Sequence, residues 1–182
     1  MSVRPVRIFG DPVLRERARD VRDFDDTLRA LVADLYETMA AYSGVGLAAN
    51  QVGVAQRVFV VDVPHADGTR DRFAVVNPVL DQKRGKDMAE EGCLSMPGIL
   101  EEVQRATSVR VRGCDENGQP LERVVTGFLA RAIQHETDHL DGVLFTDRLS
   151  LLKRQFLKRD LDALARGELP AGYHPGAREG GI

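Results

Sequence analysis

The chain has 182 residues, of which 43% are hydrophobic and 29% are charged, and its formal net charge is −3. This size suits a single globular domain, and the weak negative charge argues against a broad basic surface for DNA. No stretch of about 18 apolar residues is present and the N-terminus has no apolar signal core, so we expect a cytoplasmic protein without a membrane span. Two cysteines, Cys93 and Cys114, are too few for a disulfide framework, which leaves metal binding or catalysis as their alternatives.

Helical periodicity predicts three long helices. They cover residues 25–44, 126–142 and 150–167. Polar residues at the predicted starts and glycines at the predicted ends support these bounds. In the segment DPVLRERA, Pro12 at the first helical position predicts a further short helix.

Four segments have the apolar patterns of β-strands. They read RVFVVDV, RFAVVNPVL, SVRVRG and PLERVV in chain order. The last two flank DENG and are predicted to form a hairpin. Residues 81–98 show little regular pattern and are predicted to be rich in loops.

Strands and helices do not alternate regularly along this chain, which indicates an α+β fold. We expect small antiparallel or mixed sheets packed around a central helix, the one that carries the sequence QHETDHLDG. Residues 1–167 are predicted to form a single catalytic domain. The Gly- and Pro-rich residues 168–182 are predicted to be a flexible tail.

The segment QHETDHLDG carries an H-E-x-x-H pattern on the second predicted helix. His135 and His139 are one turn apart on one face, so both imidazoles can reach one metal ion. Glu136 lies beside them and can act as a general base without being a ligand. Phe128 and Ala132 share the histidine stripe, so this face is expected to be apolar and to point toward the core.

A catalytic metal site of this kind needs a third protein ligand and an open position. Phe145 stands where a metzincin has its third histidine. Glu168 lies in a flexible Gly- and Pro-rich segment, and Asp147 is a weaker candidate. Strand alternation puts Cys114 on the solvent side. Cys93, in the irregular segment EEGCLSMPG, is therefore our predicted third ligand.

Three segments together resemble the signature segments of peptide deformylases. They are GVGLAANQVG at residues 44–53, EGCLS at residues 91–95 and QHETDHLDG at residues 134–142. Their order and spacing are similar to those of the family, and the resemblance extends from about Val6 to about Leu149. It implies a metal-dependent hydrolase that removes the formyl group from the N-terminal formyl-methionine of newly synthesised proteins and releases formate.

The resemblance also implies the metal ligands. By position they fall on Cys93, His135 and His139. One divalent ion per chain is implied, natively Fe²⁺, with Zn²⁺, Ni²⁺ or Co²⁺ as substitutes. Glu91 and Arg105 would support these ligands from behind.

Catalytic and substrate-binding roles follow from the same resemblance. Glu136 matches the family's catalytic glutamate. Gln51 matches the glutamine that stabilises the oxyanion, together with the backbone N–H of Leu94. The implied substrate-binding residues are Val45, Gly46, Phe128, Arg131 and Ala132, with Phe128, Ala132 and the aliphatic stem of Arg131 bordering the methionine pocket.

Two competing interpretations use the same motif. A zinc endopeptidase would need a third ligand after His139, which the sequence barely offers. A non-catalytic protein with a structural metal would need four protein ligands.

The third predicted helix carries four basic residues. They could contact ribosomal RNA, but we favour the simpler interpretation that they form a solvated helix face. They are Lys153, Arg154, Lys158 and Arg159.

Overall fold

The computed structural model describes residues 2–171 and residue 173. Its helices are α1 (Asp26–Ala41), α2 (Gly127–Leu140) and α3 (Leu151–Ala165). Its strands are β1 (Gly46–Ala48), β2 (Val58–Pro64), β3 (Arg70–Arg84), β4 (Asp87–Glu91), β5 (Glu101–Arg105), β6 (Ser108–Cys114) and β7 (Pro120–Thr126). Short 3₁₀ turns cover Pro12–Arg15, Ala49–Val52 and Phe145–Arg148.

Two antiparallel sheets and three helices make up the described chain, which confirms the predicted α+β class. The larger sheet has the strand order β1-β2-β3-β6-β7, and β4 pairs with β5 in a separate two-stranded sheet. All residues from 129 to 140 of α2 are buried. The helix that carries the histidines is therefore central, as predicted.

The larger sheet lies between α1 and α2 because its middle strands are apolar on both faces. In β2, Val58 and Val60 join the core cluster that contains α1. Phe59 and Val61 join the cluster that contains α2. A continuous apolar run such as VFVV is typical of a strand buried on both faces.

A third cluster covers the segment that follows β4. It packs Cys93 and Met96 against Leu144, Phe145 and residues of α3. Within α3 only Leu164 is buried. Helix α3 therefore packs one edge against the segment that contains Cys93, and most of the surface of α3 is exposed to solvent. In the described residues, no helix combines the length and apolar character needed to cross a membrane.

The prediction of loops at residues 81–98 is wrong for its first half. Strand β3 continues to Arg84, and Asp87–Glu91 forms β4, paired residue by residue with β5. The strand pattern is hidden because β4 contains three acidic residues and only one large apolar side chain, the exposed Met88. The short helix predicted at Pro12 is only a 3₁₀ turn. Of the predicted tail, residues 172 and 174–182 lie outside the described residues.

Phe59 offers a test of the two-sided core. Its side chain is fully buried between the sheet and α2. We expect Phe59→Ala to lower the free energy of unfolding by about 3–5 kcal/mol, because the removed ring leaves a cavity. The exposed Val124 of β7 is a control, and Val124→Ala should change stability by no more than about 0.5 kcal/mol. Denaturant unfolding measures both, and equal effects would contradict this packing.

Candidate metal centre

Three possible metal ligands meet where the cysteine segment crosses the inner face of α2. The Cys93 Sγ lies 3.2 Å from the Nε2 of His139, which lies 3.2 Å from the Nε2 of His135. The ligand atoms of the three residues all lie within 4.8 Å of one another, and all three residues are buried. A thiol and two imidazoles that converge in this way form a donor set that suits a divalent transition metal.

The protonation chemistry of these groups also fits a cation. Burial and the neighbouring His135 hold the pKa of His139 well below its ordinary value, so its imidazole is neutral and has a lone pair to offer. Burial raises the pKa of the Cys93 thiol to about 12. A thiolate is therefore costly here without a positive charge beside it. A divalent ion would supply that charge and displace the thiol proton.

Behind the ligands lies the buried carboxylate of Glu91. Its Oε2 is 3.1 Å from the Nδ1 of His135. Arg105 donates to both carboxylate oxygens, at 2.8 and 2.9 Å. Burial opposes ionisation of Glu91, but the hydrogen bonds from Arg105 and His135 outweigh it and lower its pKa to about 2. The anionic carboxylate accepts the Nδ1 proton of His135, which leaves the Nε2 lone pair free for a metal.

Arg131 donates to the same carboxylate. Its Nη1 lies 2.7 Å from Oε1 of Glu91 and 2.8 Å from the backbone oxygen of Val103, and its Nη2 lies 3.1 Å from the oxygen of Asp87. The side chain thus ties the β4–β5 sheet to α2. Sequence reasoning gave Arg131 only a place beside the substrate, and its bonds to Glu91 are a finding of the structure.

Gln51 lies beside Cys93 with its amide held in one orientation. Its Oε1 accepts the backbone N–H of Ala48 at 2.9 Å. Its Nε2 therefore points the other way, 3.2 Å from the Oγ of Ser95 and 3.6 Å from the Sγ of Cys93. The donor side of the amide faces the candidate metal centre. Leu94, the other residue of the implied oxyanion site, directly follows Cys93 and is buried.

Glu136 is buried next to the ligands and only partly satisfied. Its Oε2 has no hydrogen-bond partner within the described part of the chain. Burial and the nearby Glu91 raise its pKa well above the ordinary value. A Cβ on Gly46 would overlap the carboxyl group of Glu136, so any larger residue there would displace this buried side chain. Val45, the neighbour of Gly46, is half-buried.

Two expectations about side-chain direction need correction. Phe128 does not face the core: its side chain is 48% exposed, because it belongs to the first turn of α2, next to the exposed end of β7. Ala132, one turn further on, is fully buried as expected. Cys114 is half-buried and packs against the α1 cluster rather than facing solvent. Strand β6 pairs irregularly with β3 there, between Val76 and Val79, so simple alternation fails.

Sequence reasoning also missed Asn50 and Asp138. The fully buried Asn50 donates its Nδ2 to the backbone oxygen of His139, which holds the end of the ligand helix. Asp138 accepts from both Arg105 and Arg148. Each residue lies inside a signature segment, and that position was the only available signal.

Comparison with known proteins agrees with this geometry. The sequence profile described as polypeptide deformylase matches residues 3–155. The chain belongs to the polypeptide deformylase family. The resemblance noted in the sequence is thereby confirmed, as is the expectation of a hydrolase of this family, and the matches do not favour an endopeptidase.

Individual relatives are similar over most of their length. Peptide deformylase 1 of Corynebacterium efficiens is 52% identical over 156 residues, which cover 85% of this chain and 92% of that protein. The peptide deformylase of Alkalilimnicola ehrlichii is 44% identical over 177 residues, covering 97% and 99%. The crystal structure of the Thermus thermophilus peptide deformylase superposes with a TM-score of 0.85 at 42% identity, covering 91% of this chain and 99% of that one.

The two cysteines provide a matched test of the metal centre. We expect Cys93→Ser to lose the bound metal, because a hydroxyl is a poor replacement for a thiolate ligand. Cys114→Ser should keep its metal, because Cys114 is not part of the ligand group. Elemental analysis of the purified proteins measures both. Full occupancy in Cys93→Ser, or loss of metal in Cys114→Ser, would refute the ligand assignment.

Proposed function

We propose that this chain is a metal-dependent hydrolase that removes the formyl group from N-terminal formyl-methionine of newly synthesised proteins and releases formate. The observation that carries the proposal is the buried group of Cys93, His135 and His139, with the carboxyl of Glu136 and the amide of Gln51 beside it. The family membership supports the same activity. Residues 1–167 would form the catalytic domain.

Cys93, His135 and His139 would hold one divalent metal ion. We propose Fe²⁺ as the native ion, with Zn²⁺, Ni²⁺ or Co²⁺ able to replace it, since one thiolate and two imidazoles accept all four. When bound, the ion would act as a Lewis acid that activates water and polarises the formyl carbonyl. Glu91 and Arg105 would fix the orientation of His135 from behind.

Glu136 would move the proton. Its Oε2 has no partner among the described residues. With the raised pKa offset by a bound cation and the carboxyl ionised, this oxygen would accept a proton from the attacking water. The same carboxyl would then deliver the proton to the leaving amine of methionine. The close passage of Gly46 supports this role, because it brings a backbone strand alongside the reacting carboxyl.

Gln51 would stabilise the negative oxygen that develops as the formyl carbon is attacked. Its donor side is already oriented by the bond from Ala48, so little reorganisation is required during the reaction. A preorganised donor of this kind is worth about 10²–10³ in rate. The backbone N–H of Leu94 would be a second donor.

The substrate would lie along β1 and enter beside α2. The backbone of Val45 and Gly46 would align the peptide, while Phe128, Ala132 and the stem of Arg131 would border the methionine side chain. Formyl-methionyl nascent chains are the proposed partners.

A transient contact with the ribosome through α3 is less well supported. Two of its four basic residues are already paired, Lys153 with Glu101 and Lys158 with Asp162.

The substitution Glu136→Gln distinguishes a role of this side chain in proton transfer from a role in the stability of the fold. The amide keeps the size of the side chain but cannot accept the proton. We expect the variant to keep its fold and its metal, while kcat falls by at least about 10²-fold. Formate release and metal content measure the two properties. Turnover close to that of the unmodified protein in a metal-loaded variant would remove Glu136 from the mechanism.

Matched peptide substrates distinguish a deformylase from an endopeptidase. We expect formyl-Met-Ala-Ser to yield formate and free Met-Ala-Ser. Acetyl-Met-Ala-Ser should react far more slowly, because a site closed around Gln51 and Leu94 excludes the extra methyl group by overlap. Formate measurement and mass spectrometry of the peptide test this. Cleavage of internal peptide bonds without formate would favour the endopeptidase instead.

A further inference from the structure

A cavity lies behind the helix that carries the histidines. Its volume is about 560 Å³, which is within the usual range for small-molecule sites. The floor is a polar stripe of α2 that lies on a different face from His135 and His139. This stripe consists of Gln134, Thr137 and Asp138, and Asp141 continues it just after the end of α2. The proposed deformylase activity makes no use of this cavity.

Positive charge is concentrated around this cavity. Six basic side chains line it, against two lining carboxylates, while Glu91 and Asp20 pair with two of the arginines from outside the lining. The basic residues are Arg17, Arg57, Lys83, Lys86, Arg105 and Arg148. The chain as a whole has a net charge of −3, so the cavity differs in sign from the molecule around it. Such local fields attract anions into a concave site.

The two carboxylates of the cavity are already occupied by three arginines. Asp138 accepts from Arg105 and Arg148, and Asp141 accepts from Arg57 at 2.6 Å. These bonds hold the three guanidinium groups in place at the base of the cavity. Their hydrogen bonds to the protein leave these guanidinium groups to contribute a fixed positive field rather than free donors.

The other three basic residues are exposed and unpaired. Within the described residues, Arg17, Lys83 and Lys86 form no ion pair. The two lysines come from the end of β3 and the turn into β4, where the register of β3 against β6 shifts between Asp81 and Arg84. Gln82 has a positive φ of 47° in this irregular segment. A bulge of this kind redirects side chains, and here both lysines border the cavity.

We propose that this cavity binds an anion with consecutive phosphate groups. Planar guanidinium groups and lysine ammonium groups are the side chains that recognise phosphate. The number of cations exceeds what one carboxylate would neutralise, and the volume admits two or three linked phosphates. Phosphate groups of this kind occur in a free polyphosphate chain, as in nucleotides, and in an RNA backbone. Separate titrations with tripolyphosphate and with RNA distinguish these two sources.

Lys83 and Lys86 are the residues to change, because Arg105 also supports Glu91 and must be left intact. Tripolyphosphate is titrated into the metal-loaded full chain at low ionic strength by calorimetry. We expect saturable binding with a Kd below about 1 mM. Lys83→Ala combined with Lys86→Ala should weaken it by about fivefold or more.

Arg154→Ala combined with Arg159→Ala is the matched control. Both residues are exposed on α3, and either pair of changes lowers the net charge from −3 to −5. The control should bind tripolyphosphate within about twofold of the unmodified chain. An equal loss in both double variants would show a non-specific charge effect and overturn the proposal.

Two further titrations identify the ligand class. A single-stranded RNA of about 12 nucleotides is followed by fluorescence anisotropy. In one outcome, RNA binds to the unmodified chain but not to the lysine variant, while tripolyphosphate shows no saturable binding. This outcome would support an RNA backbone as the source of the phosphates. Citrate tests carboxylates, and citrate binding as tight as that of tripolyphosphate would overturn the phosphate assignment. If neither tripolyphosphate nor RNA binds, the proposed anion site is refuted. These binding results are independent of the formate-release assay, which tests the proposed function.

Discussion

The geometry of the candidate metal centre depends on the buried ion pairs and hydrogen bonds of the Glu91 carboxylate. This carboxylate is wholly excluded from solvent and still ionised, because Arg105, Arg131 and His135 surround it with donors. Removing one partner of a buried charge pair costs about 3–5 kcal/mol, because the other charge is left uncompensated. The partners come from β5 and from two turns of α2. One negative charge therefore fixes the relative positions of the small sheet, the ligand helix and the cysteine segment.

The sequence was informative where a pattern is local. Helix α2 could be predicted because its period, its ends and its paired histidines all lie within one segment, and Cys93 could be chosen by comparing the remaining candidate ligands. The middle strands of the larger sheet were equally clear because they are apolar on both faces. Strand β4 was missed because three of the five residues are charged both in β4 and in its partner β5, and neither strand has an apolar face long enough to give a pattern.

Side-chain partners from distant segments could not be predicted. Nothing near Arg131 in the sequence indicates that its guanidinium reaches Glu91, which is 40 residues away. Likewise, Asn50 bonds the carbonyl of His139 across 89 residues, and only the fold brings the two together. Phe128 was misplaced for a related reason, since helical periodicity gives a face but does not say where the covering layer ends. The resemblance supplied Gln51, which composition and spacing alone would have left as an ordinary loop residue.

The location of the three candidate ligands along the chain has a consequence for biosynthesis. Cys93 precedes the hairpin of β6 and β7, whereas His135 and His139 follow it, and the cluster around Cys93 is closed by Leu164 near the end of α3. A chain that is still being translated lacks the two histidines until residue 139 has been synthesised. It lacks the full cover over Cys93 until residue 164 has been synthesised. The candidate ligand group thus cannot assemble before residue 139 has been synthesised, and its apolar cover over Cys93 also requires Leu164 of α3.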